Sequence, residues 1–160
     1  MKHIITALVE NKPGVLARIV GLISGRSYNI ETLNVGPTQD PTTSKMTMVV
    51  LGDDHVLEQV IHQVGKLVDV IEVRDVTCRR HLNRELILVE VATKRHSRAE
   101  VLELATLFDA RVVAVGEKSI TLQMVGDHGS VQDFIRLLQP YEIMDISRSG
   151  LIAVARAAHE

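Results

Sequence analysis

Two short stretches carry residue types able to hold a small charged ligand: Glu10-Asn11-Lys12-Pro13-Gly14-Val15-Leu16, and Ser27-Tyr28-Asn29-Ile30-Glu31 after an intervening helical run. The first turn of a helix has unpaired backbone amides at the positive end of its dipole, so a helix opening at Pro13-Gly14 can receive a carboxylate. Gly14 has no side chain to block the approach. On this reading the Gly14 and Val15 amides take the carboxylate, while Asn11 and Asn29 offer side-chain amides to an ammonium or carboxylate. The same residues also fit a strand-to-helix turn that uses Pro13 and Gly14 as punctuation. Spacing does not choose between the two.

Other chemistries have weaker support. His3, His55, His62, His81, His96, His128 and His159 show no pairing with Cys or carboxylates at metal-ligand spacing, and are expected at the solvated surface. Cys78 has no CxxC partner, which makes it a bystander thiol rather than a nucleophile. Neither GxGxxG nor GxxxxGK[ST] occurs. Asp53, Asp54 and Asp75 sit at element ends, where capping explains them. Arg79, Arg80 and Arg84 read either as a solvated linker or as a partner-binding patch. No nucleophile, base and orienter come together.

The elements that must position the loop follow from periodicity. Ile4 to Val9 is an apolar, partly β-branched run suited to a buried strand. From Pro13, Leu16, Ile19, Val20 and Ile23 recur at helical spacing, and Gly25 or Asn29 can end that helix. Ile30 to Thr38 reads as a strand with Ile30, Thr32, Asn34 and Gly36 on one face and Glu31, Leu33 and Val35 on the other. A turn-rich loop leads to a strand through Met46, Met48 and Val50. Asp53 is placed to cap a helix carrying Val56, Leu57, Val60, Ile61 and Val64, and Val68 to Val73 makes a fourth strand.

This order, strand-helix-strand-strand-helix-strand, is the ferredoxin-like split βαβ arrangement. It then repeats. Glu85 to Val91, a helix with a Ser97/Glu100 capping box, strands at Val112 to Val115 and Ile120 to Val125 around Gly116 to Ser119, a helix with Val131, Phe134, Ile135 and Leu138, and Ile143 to Ile146 give the second copy. Leu151 to Val154 is expected to prolong the last strand. The fold class is α+β, two tandem lobes of residues 1–76 and 85–160 with a polar linker at 77–84. Lobes this small have thin cores, so self-association is expected.

With 46% hydrophobic and 24% charged residues over 160 positions, the balance is that of a globular protein. A net charge of -2 provides no broad field for nucleic acid or an anionic membrane. Tyr28, Phe108, Phe134 and Tyr141 are the aromatic residues, too few to form a base-stacking platform. No apolar run approaches the roughly 18 residues of a membrane span. With no leader-like start and one cysteine, a cytoplasmic location is expected.

The sequence resembles the small regulatory subunits of acetolactate synthase (acetohydroxyacid synthase). The resemblance is carried by Glu10 to Arg18, Tyr28 to Leu33, Asp40 to Thr47, Gln59 to Val70, Arg84-Glu85-Leu86 and Ser147-Arg148-Ser149-Gly150. It implies that the first lobe is an ACT domain, a module that binds amino acids at dimer interfaces. It further implies a chain without an active site that activates a separate catalytic (large) subunit and confers feedback inhibition by valine in branched-chain amino acid biosynthesis. Thiamine diphosphate, magnesium and FAD would belong to that partner, with no cofactor in this chain.

Combined with the loop, this gives a valine site of Asn11, Pro13, Gly14, Val15, Leu16, Asn29 and Ile30, shared across a homodimer whose second strands pair. Val15, Ile30 and Val35 would wall the isopropyl group. The corresponding second-lobe turn, Lys94-Arg95-His96-Ser97-Arg98-Ala99-Glu100, lacks the Pro-Gly pair and the asparagines. That lobe is expected to serve assembly or contact with the catalytic subunit.

Two other classes are weaker. A free-standing amino-acid-responsive ACT sensor acting on another partner would want a helix-turn-helix or basic arm, and no stretch reads as one. An enzyme of this fold such as an acylphosphatase would present an Arg from a glycine-rich anion loop, whereas Arg18 falls within a helix.

Overall fold

The computed structural model describes residues 1–26, 28–93 and 97–156. Ser27, Lys94, Arg95, His96 and His159, which figure in the readings above, lie outside the described residues.

The chain runs β1 (Lys2–Glu10), α1 (Val15–Ser24), β2 (Asn29–Pro37), β3 (Thr43–Leu51), α2 (Asp54–Gly65) and β4 (Val70–Asp75). The second copy is β5 (His81–Ala92), α3 (Ser97–Leu107), β6 (Arg111–Val115), β7 (Ser119–Gly126), α4 (His128–Leu138) and β8 (Ile143–Arg148), followed by β9 (Ile152–Ala155). The first sheet has strand order β2-β3-β1-β4 and the second β6-β7-β5-β8, with β9 pairing β5. The pairs along both four-strand paths are antiparallel. The expected α+β class with two βαββαβ repeats is therefore the observed fold.

Each sheet buries one face under its two helices. In the first lobe Ile5, Ala7 and Val9 of β1 meet Met46, Met48 and Val50 of β3, and Val15, Ile19 and Ile23 of α1 close over them with Val60 and Val64 of α2. The α1 stripe thus starts at Val15 rather than Leu16, which stays 43% exposed. In the second lobe Ile87, Val89 and Val91 pack with Ile120, Leu122, Met124 and the helix residues Val101, Ala105, Val131, Phe134 and Leu138. Phe108 and Phe134 meet with ring centroids 5.2 Å apart, the tilted approach aromatic pairs favour. Helix starts follow local chemistry. Asp53 Oδ1 accepts from the Val56 amide at 2.9 Å, and Asp127 Oδ1 from the Ser130 amide at 2.9 Å.

Three expectations require correction. The face assignment in β2 fails at a bulge between Ile30 and Thr32, where Glu31 is the extra residue against β3. An inserted residue breaks the strand's alternation. Ile30 therefore joins Leu33 and Val35, opposite the inward Val50, Met48 and Met46, while Thr32, Asn34 and Gly36 take the outer face. Next, His3 is not at the surface: it is 2% exposed, with Nε2 3.2 Å from the Gly52 carbonyl oxygen. Its position opposite the inward Val50 explains this.

The third concerns division of the chain. β5 starts at His81, inside the stretch expected to link the lobes, and Leu151 does not prolong β8. One compact unit comprises Met1–Leu82 together with the segment from Leu151, and the other Asn83–Gly150. Gly150, at φ 75, lies between β8 and β9 and takes the left-handed conformation that favours glycine. In the first unit the Ala153 amide donates to Thr47 Oγ1 at 3.4 Å. Leu151 and Ala153 are buried, as are Thr6, Thr47 and Val49 on the outer side of the first sheet.

Candidate functional site

The loop between β1 and α1 is held from both sides. Its start is fixed by Glu10 N donating to Asp69 O and Asn11 N to Thr42 O, both at 2.8 Å. Arg18 pairs with Asp69, tying α1 to the segment before β4. Lys12 pairs with Glu10, and this hydrogen bond and charge raise the lysine's pKa. Residues Thr38 to Thr43 form a self-bonded turn in which Asp40 Oδ1 accepts from the Thr42 amide at 2.9 Å and from Thr42 Oγ1 at 2.7 Å. These bonds hold the Asp40 carboxyl below its ordinary pKa.

Gly14 caps α1 at φ 83 with no side-chain bond. A Cβ there would meet nothing within 4 Å, so the requirement for glycine comes from the backbone conformation, not from crowding. Val15 N bends back to Lys12 O at 3.4 Å and Arg18 N makes the first helical bond to Gly14 O at 3.0 Å. Among the described residues the Gly14, Leu16 and Ala17 amides have no acceptor. Of the Gly14 and Val15 pair read in the sequence, Gly14 is open but Val15 is engaged by Lys12 O, and the Leu16 and Ala17 amides are open in its place. Asn11 uses its Nδ2 on the Pro41 carbonyl oxygen at 3.0 Å, which leaves its Oδ1 as the free end. Asn11, Pro13 and Gly14 are exposed, Val15 is buried, and Leu16 is partly open beside them.

The second stretch lies elsewhere. Asn29 opposes Leu51 on β3, and Leu51 opposes Lys2 at the start of β1, whereas Asn11 follows Glu10, which opposes Thr43 at the far end of the same sheet. Along the nine residues of β1 that separation is roughly 27 Å at a strand rise of about 3.4 Å. No single amino acid can touch both asparagines of one chain. The sites named in the sequence divide into Asn11, Pro13, Gly14, Val15 and Leu16 at one end and Asn29 and Ile30 at the other, with Val35 at the former end of β2.

Sequence reasoning missed what holds the Asn29 turn. The Tyr28 hydroxyl donates to Gln59 Oε1, and Gln59 Nε2 lies 2.9 Å from His55 Nε2, so α2 braces the residue preceding Asn29. No spacing rule reveals this, because Tyr28 and Gln59 are 31 positions apart. The second lobe places different chemistry at the counterpart of the first loop. Arg98 reaches the Gly116 carbonyl oxygen at 2.8 Å and Thr93 Oγ1 at 3.4 Å, and a cavity of about 100 Å³ is lined by Ala92, Ser97, Pro140, Tyr141 and Glu142. A hydrogen bond to Glu100 raises the Tyr141 pKa. Among the described residues no cluster of His, Cys, Asp and Glu could hold a metal, and no helix is long and apolar enough to cross a membrane.

Comparison with known proteins matches two consecutive stretches of the chain. Residues 5–72 match the family described as the AHAS small subunit-like ACT domain, and residues 84–157 match the small subunit of acetolactate synthase. A probable acetolactate synthase small subunit of Archaeoglobus fulgidus is 46% identical over 98% of both chains. The acetolactate synthase small subunit of Haemophilus influenzae is 43% identical over 98% of this chain and 96% of its own. In structure, the chain is similar to the acetolactate synthase small subunit from Thermotoga maritima, with a TM-score of 0.89 and 29% identity over 99% of each.

Proposed function

This chain belongs to the acetolactate synthase small-subunit family, and from that premise we propose that it is the non-catalytic subunit that activates the catalytic subunit and makes it sensitive to valine. Thiamine diphosphate, magnesium and FAD then reside in the partner, and the complex works in the cytoplasm on branched-chain amino acid biosynthesis.

The observation that carries the regulatory half of this reading is the separation of Asn11 from Asn29 to opposite ends of the first sheet. Strand β2 is an edge of that sheet. Two copies joined antiparallel along β2 put the Gly14 end of one chain against the Asn29 end of the other, forming two equivalent sites related by a two-fold axis. Valine bridges the copies. Its carboxylate meets the open helix-start amides and its ammonium the free Asn Oδ1 groups. Its isopropyl group lies against Leu16 and Val35 of one chain and Ile30 of the other. The bulge at Glu31 matters because it turns Ile30 to the helix side with Leu33 and Val35, making one apolar wall.

A ligand that touches both copies favours the arrangement in which it fits, and that differential affinity is what reaches the catalytic subunit. The test is reconstitution. The isolated chain makes no acetolactate; mixed with its catalytic subunit it raises the rate, and valine then lowers it. Acetolactate formation by this chain alone, or a rate indifferent to its addition, overturns the proposal.

A further inference from the structure

The two lobes brace their first β-α junctions with the same main-chain bond and with different side chains. After β1, Asn11 N donates to Thr42 O in the β2–β3 turn at 2.8 Å; after β5, Thr93 N donates to Lys118 O in the β6–β7 turn at 2.8 Å. Register makes the two bonds equivalent, since Glu10 opposes Thr43 and Ala92 opposes Ser119. Counted from those pairs, Asn11 corresponds to Thr93, Leu16 to Arg98 and Asp40 to Gly116. The main-chain bond therefore belongs to the common fold. The asparagine and the aspartate do not, because the second lobe makes the bond without them.

In the first lobe those two side chains are linked through the turn. Asp40 Oδ1 accepts from the Thr42 amide at 2.9 Å and from Thr42 Oγ1 at 2.7 Å, which fixes the Pro41–Thr42 segment. That segment gives two acceptors to one residue: Thr42 O takes the Asn11 amide, and Pro41 O takes Asn11 Nδ2 at 3.0 Å. A flipped Asn11 side chain would set its Oδ1 against Pro41 O, acceptor against acceptor. The turn thus decides that Oδ1 is the end left for a ligand. In the second lobe Arg98 donates to Gly116 O at 2.8 Å and to Thr93 Oγ1 at 3.4 Å, so the side-chain oxygen at the position of Asn11 is met by a cation of the chain itself. Leu16, the counterpart of Arg98, supplies no cation to Asn11. The first junction has the acceptor without the charge that would satisfy it.

Resting on the regulatory reading above, in which Asn11 meets the effector, we infer that Asp40 is a positioning residue of that site: it locks the β2–β3 turn so that Asn11 offers an acceptor to an ammonium group, and the site thereby selects amino acids over 2-oxo acids with the same side chain. Asp40 touches no ligand in this arrangement and acts through Asn11. An acceptor held outward is left unpaired by a ligand that brings no donor, so the 2-oxo acid is rejected even though its carboxylate and its apolar end are the same. The remainder of the turn is closed without the Asp40 carboxylate, by Thr38 N to Thr43 O at 3.0 Å and Thr43 N to Asp40 O at 3.1 Å. Loss of that carboxylate therefore frees the Pro41–Thr42 segment and leaves the hairpin in place.

The test is isothermal calorimetry on the full chain. Valine should bind the wild-type protein, and the 2-oxo acid with valine's carbon skeleton should displace it only at concentrations at least about tenfold higher. Asp40→Ala should weaken valine about tenfold, whereas Asp40→Asn, whose amide oxygen still accepts from Thr42, should stay within about twofold of wild type. Asn11→Ala should cost about as much as Asp40→Ala, and the double variant no more than either alone, because residues that act as one unit are not additive. Asn11 and Asp40 are exposed, and circular dichroism checks that each variant keeps the fold. Unchanged valine affinity in Asp40→Ala, a loss in Asp40→Asn as large as in Asp40→Ala, additive losses in the double variant, or a 2-oxo acid bound as tightly as valine each overturns the inference and leaves the regulatory reading standing. A wild-type chain that binds no valine overturns that reading and this inference with it.

Discussion

The two lobes share a fold and differ where a ligand would be held. At the first β-α junction a left-handed Gly14 opens a helix whose amides are free, and the surrounding polar groups brace the loop from outside. At the second, Arg98 ties the helix start to the β6–β7 hairpin. A split βαβ unit needs neither arrangement in order to fold. What differs between the lobes is therefore chemistry added to a common frame, and ligand binding is expected at the first junction alone.

The largest effect should separate the lobes by stability. Glu85 is 1% exposed, and both its carboxylate oxygens accept from Arg148 at 2.7 Å. Arg148→Met strands a buried carboxylate, at a cost of about 3–5 kcal/mol. Calorimetry should show an early transition assignable to the second lobe, with valine binding by the first retained. A single transition lowered as a whole would mean the lobes do not unfold separately.

Next in size is Gly14→Glu. It forces a side chain into a left-handed backbone, which costs roughly 1–2 kcal/mol, and sets a negative charge where the effector's carboxylate is proposed to lie. Valine affinity should fall at least about 100-fold, near 2.7 kcal/mol, by isothermal calorimetry. Ser97→Glu at the second junction should leave valine affinity unchanged. Equal losses from both would erase the distinction drawn between the two loops.

A smaller and symmetric effect comes from the caps. Asp53→Ala and Asp127→Ala each remove a side-chain bond to a helix-start amide, and each should cost about 1 kcal/mol in chemical denaturation. Smaller still is its acid dependence. The Ser130 amide holds the Asp127 carboxyl below its ordinary value of 3.8. Its contribution is thus fully present above that value and is lost as pH falls through the depressed folded value. The Asp127→Ala penalty should shrink toward zero in that acid range, and a penalty constant down to pH 2 would contradict the assignment.

Much of this was legible in local signals. Helical and strand periods, Asp53 as a cap, and the Gly116 to Ser119 hairpin, closed by Gly116 N to Ser119 O at 2.8 Å, each depend on neighbours in the chain. The face of Ile30 was misread because a bulge is a property of two strands in register, and one strand's alternation does not contain it. His3 was misread for a related reason: its burial depends on Val50 and Gly52, close to fifty positions away. For the loop, residue types pointed to carboxylate chemistry, but they could not say which amides would stay open.

The sequence by itself determined the repeated fold, the Pro-Gly loop present in one copy, and the family, because those rest on patterns a few residues long or on residues matched one by one. The tertiary structure alone decided that Asn11 and Asn29 lie at opposite ends of a sheet, that the segment after Gly150 joins the first unit, and that Glu85 meets Arg148 across 63 positions. Each of these depends on strand pairing between distant segments, whose register is set by the packing of whole faces rather than by any local preference.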